Sequence, residues 1–190
     1  MVQAEGTQNI STQKAQNVSC QNKARMKQWL LLICLTIAFE QNSICQTNNF
    51  KPYFSIVVDT SIGNQLLRQC SRATPKNVDA FWTPTKSDIK QLENNFKKIN
   101  TIKATECCWK GAKVDSLHNF SFQYLGVIIG GQKYIYINAF PSGNETWFKE
   151  HDKDLSTNAL IVCDGGTSYW GVLFDLKSLS FLSLAFNGDA

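Results

Sequence analysis

Cys163-Asp164-Gly165-Gly166 is the stretch whose residue types come nearest to chemistry. A cysteine that closes an apolar run and precedes a glycine turn can act as a nucleophile beside backbone N–H groups, with His118 or His151 as its base. The competing reading is a half-cystine followed by a turn. That reading carries more weight, because a cysteine with a distant histidine is common by chance and nothing around Cys163 resembles a cysteine-protease motif. Catalytic candidates therefore go no further than Cys163, His118 and His151.

Other constellations reduce to ordinary surface. His151 with Asp152 and Asp154 falls in a charged run that lacks the dense oxygen ligands of a hard-metal loop. Gly165-Gly166 is followed by neither a Lys-Ser/Thr pair nor a helix start, so it is not a phosphate loop. No metal and no cofactor are expected. Asn119-Phe120-Ser121 and Asn144-Glu145-Thr146 fit the N-glycosylation pattern, which matters only in a eukaryotic source. Asp115-Ser116-Leu117 looks like the three-residue O-glycosylation signal of some Bacteroidota.

The best functional surface is instead a face of a predicted hairpin. Phe120 to Ile129 and Lys133 to Phe140 are rich in β-branched and aromatic residues, and Gly130-Gly131 between them suits a tight turn with positive φ. That turn sets Ile129 opposite Gln132. Phe122, Tyr124, Gly126 and Ile128 then share an apolar face with Ile135, Ile137 and Ala139. The other face carries Gln123, Tyr134, Tyr136 and Asn138 with Leu125 and Val127. Tyrosines beside amides suit recognition of a protein or a glycan if this face is wet. A second layer made by the N-terminal strand and helix would cover it instead, and both arrangements are common.

Elements that would position this face follow on either side. A second hairpin is expected from Ser168 to Phe174 and Leu179 to Phe186. A short apolar strand, Asn158 to Cys163, precedes it and ends at the Asp164-Gly165-Gly166 turn. Pro52 to Thr60 is a further strand candidate, Ser61 to Cys70 looks weakly helical, and Ser71 to Ala80 reads as turns. The strongest helix signal runs from Thr83 to Ile99, with Thr83 as cap, Pro84 in the first turn and Asp88 near the positive end of the dipole. Ile89, Leu92, Phe96 and Ile99 form its apolar stripe, and Lys97 and Lys98 sit in its last turn. Thr105 to Lys113 is a strand or an ordered loop, and Pro141 to Thr157 is a long exposed connection. The fold class is α+β, with one main helix on a four- to five-stranded antiparallel sheet. This also looks cystatin-like, an analogy of fold alone.

Residues 1–25 are polar and show no apolar period. Met26 and Lys27 open a different pattern: an apolar run, Trp29 to Phe39, then small and polar residues ending at Cys45. A positive flank, a short apolar core and a small-residue site make a signal peptide, 26–45, and the run is too short to span a bilayer. Residues 1–25 then read as an upstream extension, and 46–190 as a single exported domain, periplasmic, cell-surface or secreted, with no transmembrane helix. Cys45 as a lipidated cysteine is disfavoured by the bulky Ile44. From Gln46 onward there are 15 Lys+Arg against 13 Asp+Glu, too even a balance to argue for nucleic acid or an anionic membrane.

Four of the seven cysteines, Cys70, Cys107, Cys108 and Cys163, follow Gln46. An even count in an oxidising compartment favours disulfides, and the spacing contains no C-x-x-C. If the adjacent pair is extended, its side chains point to opposite sides. Cys70 is then expected to bond one of the pair, with Cys108 preferred. The other would pair with Cys163 or stay buried and reduced.

The tail Val162 to Ala190, with its Asp164-Gly165-Gly166 turn, its Trp170-Gly171 pair and its closing Phe186-Asn187-Gly188, resembles the ends of small uncharacterised exported proteins of Bacteroidota. The run Gln123 to Phe140 extends the likeness through the C-terminal half of the chain. The Asn-rich composition and Gln46 at the expected mature start agree with such a source. No activity is known for that group, so the resemblance carries over no functional residue. The expected function is a non-catalytic protein- or glycan-binding module. A hydrolase using Cys163 and a structural envelope protein are the alternatives.

Overall fold

The hairpin signalled by Gly130-Gly131 forms the centre of the sheet. A computed structural model of the chain describes residues 50–106, 108–143 and 154–189. Strand β3 (Phe120–Ile129) and strand β4 (Gln132–Pro141) pair antiparallel with Ile129 opposite Gln132, in the expected register along their whole length. Gly130 and Gly131 have φ of 58° and 74°, values that side chains resist and glycine accepts. Strand β5 (Trp170–Asp175) pairs with β4, and strand β6 (Ser180–Phe186) with β5, making the second expected hairpin.

Two short strands complete a six-stranded mixed sheet on the outer side of β3. Strand β1 (Ser55–Val57) runs parallel to β3, and strand β2 (Ala80–Trp82) antiparallel to it. Between them in the chain lies a one-turn helix α1 (Gly63–Leu66). The fold is therefore α+β, with a few short helices. The run Asn158 to Cys163 is not a strand: its backbone crosses the sheet as irregular chain rather than joining a ladder. Thr105 to Lys113 is loop and turn where described.

Helix α2 (Lys86–Asn95) starts later than the sequence suggests. Thr85, not Thr83, is the N-cap, because only Thr85 stands three residues before Asp88. Asp88 N–H donates to Thr85 Oγ1 at 3.3 Å, and Thr85 N–H donates back to Asp88 Oδ2 at 2.8 Å. Pro84 therefore precedes the cap. Past Asn95 the chain tightens to a 3-10 helix, Phe96–Thr101.

The stripe packs as expected. Leu92, Phe96 and Ile99 are fully buried with Phe122, Tyr124, Ile135 and Ile137 of the sheet. The rings of Phe96 and Phe122 lie 4.9 Å apart. On the opposite face, Leu125, Val127, Tyr136 and Leu173 pack with Val58 and Leu66, so a second layer made largely of irregular chain covers much of that side. Among the described residues, no helix is long and apolar enough to cross a membrane. The expected signal segment, the preceding extension, Cys107, Asn144 and His151 lie outside the described residues.

Candidate functional site

The tyrosine–amide face is interior. Gln123, Tyr136 and Asn138 are buried and only Tyr134 is part-exposed, so these residues do not form a wet recognition surface. What covers them includes a buried cation that the sequence does not advertise. Arg72 donates through Nε to Tyr136 Oη at 3.3 Å, through Nη1 to Asn187 Oδ1 at 2.8 Å, and through Nη2 to Asn138 Oδ1. The fork of the guanidinium reaches β4 and the C-terminal segment at once, which a lysine cannot do. Gly171 makes room for this: a Cβ there would lie 2.5 Å from Tyr136 Oη.

The amides then hold the irregular layer in place. Gln123 Nε2 donates to the carbonyls of Leu155 and Asn158 at 2.6 and 2.8 Å, and its Oε1 accepts from Leu160 N–H at 3.1 Å. Asn138 Nδ2 donates to Gln123 Oε1 and to the Leu160 carbonyl, both at 3.0 Å. Asn187 Nδ2 donates to the carbonyls of Val162 and Asp164 at 2.6 and 3.1 Å. Gly166 N–H donates to the Gly188 carbonyl at 3.1 Å. The Asp164-Gly165-Gly166 turn and the Phe186-Asn187-Gly188 ending thus meet across the second hairpin. Polar groups buried this way replace the strand ladder that residues 158–163 lack.

Cys70 bonds Cys163, not Cys107 or Cys108. The pairing follows from the covering layer: it brings residues 158–163 over the segment that leads to Arg72. Cys163 is thereby removed as a nucleophile, since its sulfur is already in a bond. Of its two candidate bases, His151 lies outside the described residues. His118 meets Phe50 edge to face, 5.0 Å between ring centres, and Phe50 belongs to the core on the helix side of the sheet.

One cleft lies on that helix side, between α2 and β1; another, of about 320 Å³, is lined by Tyr136, Ile129 and Leu173 on the opposite face. The first has a volume of about 450 Å³ and is walled by Val57, Pro84 and Ile89, with Lys51, Lys86 and Lys90 among its lining. Glu93 forms its polar floor. Its Oε1 accepts from Ser55 Oγ at 3.3 Å and from Tyr124 Oη at 3.2 Å. Its Oε2 accepts no hydrogen bond among the described residues and is not sealed from the cleft. Burial pushes the Glu93 carboxyl above its ordinary range, against the lowering pull of those two donors and of Lys51. Burial, and then the charge of Glu93, hold the Tyr124 phenol well above its own, so it remains a donor. The sequence shows Glu93 only as a polar position beside the helix stripe. Its signal is the spacing: it lies four residues after Ile89 and three before Phe96, at the border of the buried face.

In comparisons with known proteins, no family model, no curated protein and no solved structure matches the chain.

Proposed function

We propose that this chain is an exported, non-catalytic binding domain whose ligand seat is the cleft between α2 and β1, and that its partner is a protein or a glycan. The observation that carries the reading is the cleft's composition. Apolar walls, exposed lysines and one open carboxylate oxygen converge there, the pattern of a site that orients a ligand by a few polar contacts. Export is supported by the signal-like segment from Met26 to Cys45 and by the Cys70–Cys163 disulfide, a bond that persists in oxidising compartments. Binding is favoured over catalysis because Cys163 is tied up in that bond, and no histidine lines the cleft beside Glu93 among the described residues.

Titrating 15N-labelled protein with a panel of oligosaccharides and short peptides tests this. Amide shifts gathered on Ser55, Val57, Ile89 and Glu93 are expected. Hits scattered over the surface, or turnover of a panel member, contradict it.

A further inference from the structure

Strand β1 is a sheet edge, and the cleft opens beside it. Phe122 N–H donates to the Phe54 carbonyl at 3.1 Å, and Val58 N–H to the Tyr124 carbonyl at 3.0 Å. With Ser55 opposite Phe122 and Val57 opposite Tyr124, residues 54, 56 and 58 turn their backbone groups toward β3. Backbone groups alternate along a strand, so those of Ser55 and Val57 point away from the sheet. Among the described residues, no other strand lies beyond β1. The same two residues line the cleft, with Ile89 and Glu93 of α2 across from them. An edge of unpaired N–H and C=O groups is a template for another strand.

Charge narrows the choice of occupant. Lys51, Lys86 and Lys90 are exposed, and among the described residues Glu93 is the one acidic side chain that lines the cleft with them. Resting on the binding reading above, we infer that the partner is an extended, acidic peptide segment that adds to the outer edge of β1 as a new strand. It sets an apolar side chain between Val57 and Ile89. Its carboxylates pair with the three lysines, and Glu93 Oε2 accepts one of its N–H groups.

The probe is a short capped peptide of alternating glutamate and valine, titrated into the full 15N-labelled chain. Shifts at Ser55, Val57, Ile89 and Glu93 are expected, with affinity that falls as salt is raised. Methylating alternate peptide nitrogens should weaken binding about tenfold, the loss expected for one or two hydrogen bonds. Val57→Pro, tolerated on an edge strand, should do the same from the protein side. Lys86→Glu with Lys90→Glu should reverse the preference toward a lysine–valine peptide. Equal binding of the methylated peptide, or a preference for the lysine–valine peptide by the unaltered chain, overturns the inference. If oligosaccharides shift the cleft and the peptide does not, the binding reading stands and strand addition falls. If neither shifts it, both fall.

Discussion

Arg72 and Asn187, 115 positions apart in the chain, share a 2.8 Å hydrogen bond beneath the surface. Through it the segment that follows Cys70 is tied to the segment that ends the last strand. Asn187 in turn holds the carbonyls beside Cys163, so the disulfide and the guanidinium fasten the same two stretches of chain.

Removing the guanidinium should therefore cost more than a surface arginine would. Arg72→Met leaves Asn138, Asn187 and Tyr136 short of a donor inside the protein. Hydrogen bonds to a charged group contribute about 1.5–3 kcal/mol, and several are lost together, so a loss of about 3 kcal/mol is expected. Urea titration measures it. Arg72→Lys should recover little, because one ammonium cannot reach all three oxygens.

The disulfide closes a loop across a sequence separation of 93. The chain-entropy relation gives such a loop about 4–5 kcal/mol. Cys70→Ser with Cys163→Ser should lose a comparable amount in denaturant titration. Both half-cystines are exposed, so a mild reductant should reach the bond without prior unfolding. Peptide mapping of non-reduced protein should recover Cys70 linked to Cys163.

Phe96 anchors the helix to the sheet, in contact with the rings of Phe122, Tyr124 and Phe181. Phe96→Ala should cost about 3–5 kcal/mol, the usual effect of deleting a buried aromatic. A loss under about 1 kcal/mol would mean that α2 does not pack on this face.

Glu93 should make stability fall as pH rises. Its carboxyl titrates above the ordinary value of 4.5 in the folded protein, so the folded state binds the proton more tightly than the unfolded one. The unfolded state releases its proton first, and the loss begins as pH rises through 4.5 and is complete above the folded pKa. Glu93→Gln keeps an acceptor for Ser55 and Tyr124 and removes the charge. The stability of the variant relative to the parent should grow between about pH 4 and pH 7, a range spanning the ordinary carboxylate titration. A constant difference across that range would contradict the placement of Glu93.

Some of this was visible in the residues and some was not, for physical reasons. The β3–β4 hairpin announces itself because a two-glycine turn admits one register and the alternation then assigns both faces. The stripe from Ile89 to Ile99 announces α2, although its cap needed the Thr85–Asp88 spacing rather than the threonine before the proline. Strands β1 and β2 are three residues each, too short for a period, and their pairing with β3 is tertiary. Arg72 sits in a turn-rich stretch where an arginine is ordinarily exposed. Four cysteines allow three connectivities, and the choice depended on residues 158–163 crossing the sheet as irregular chain. The cleft was hidden for the same reason, since it exists only because β1 comes to lie beside β3 under α2.

The central structural claim is that the Gln123, Tyr136 and Asn138 face is interior. Nitration of the native protein with tetranitromethane, mapped by mass spectrometry, tests it most directly. Tyr53 is 51% exposed and should be modified first, while Tyr136, at 1%, should resist until the protein is unfolded. Nitration of Tyr136 at a rate close to that of Tyr53 in folded, oxidised protein would contradict the account.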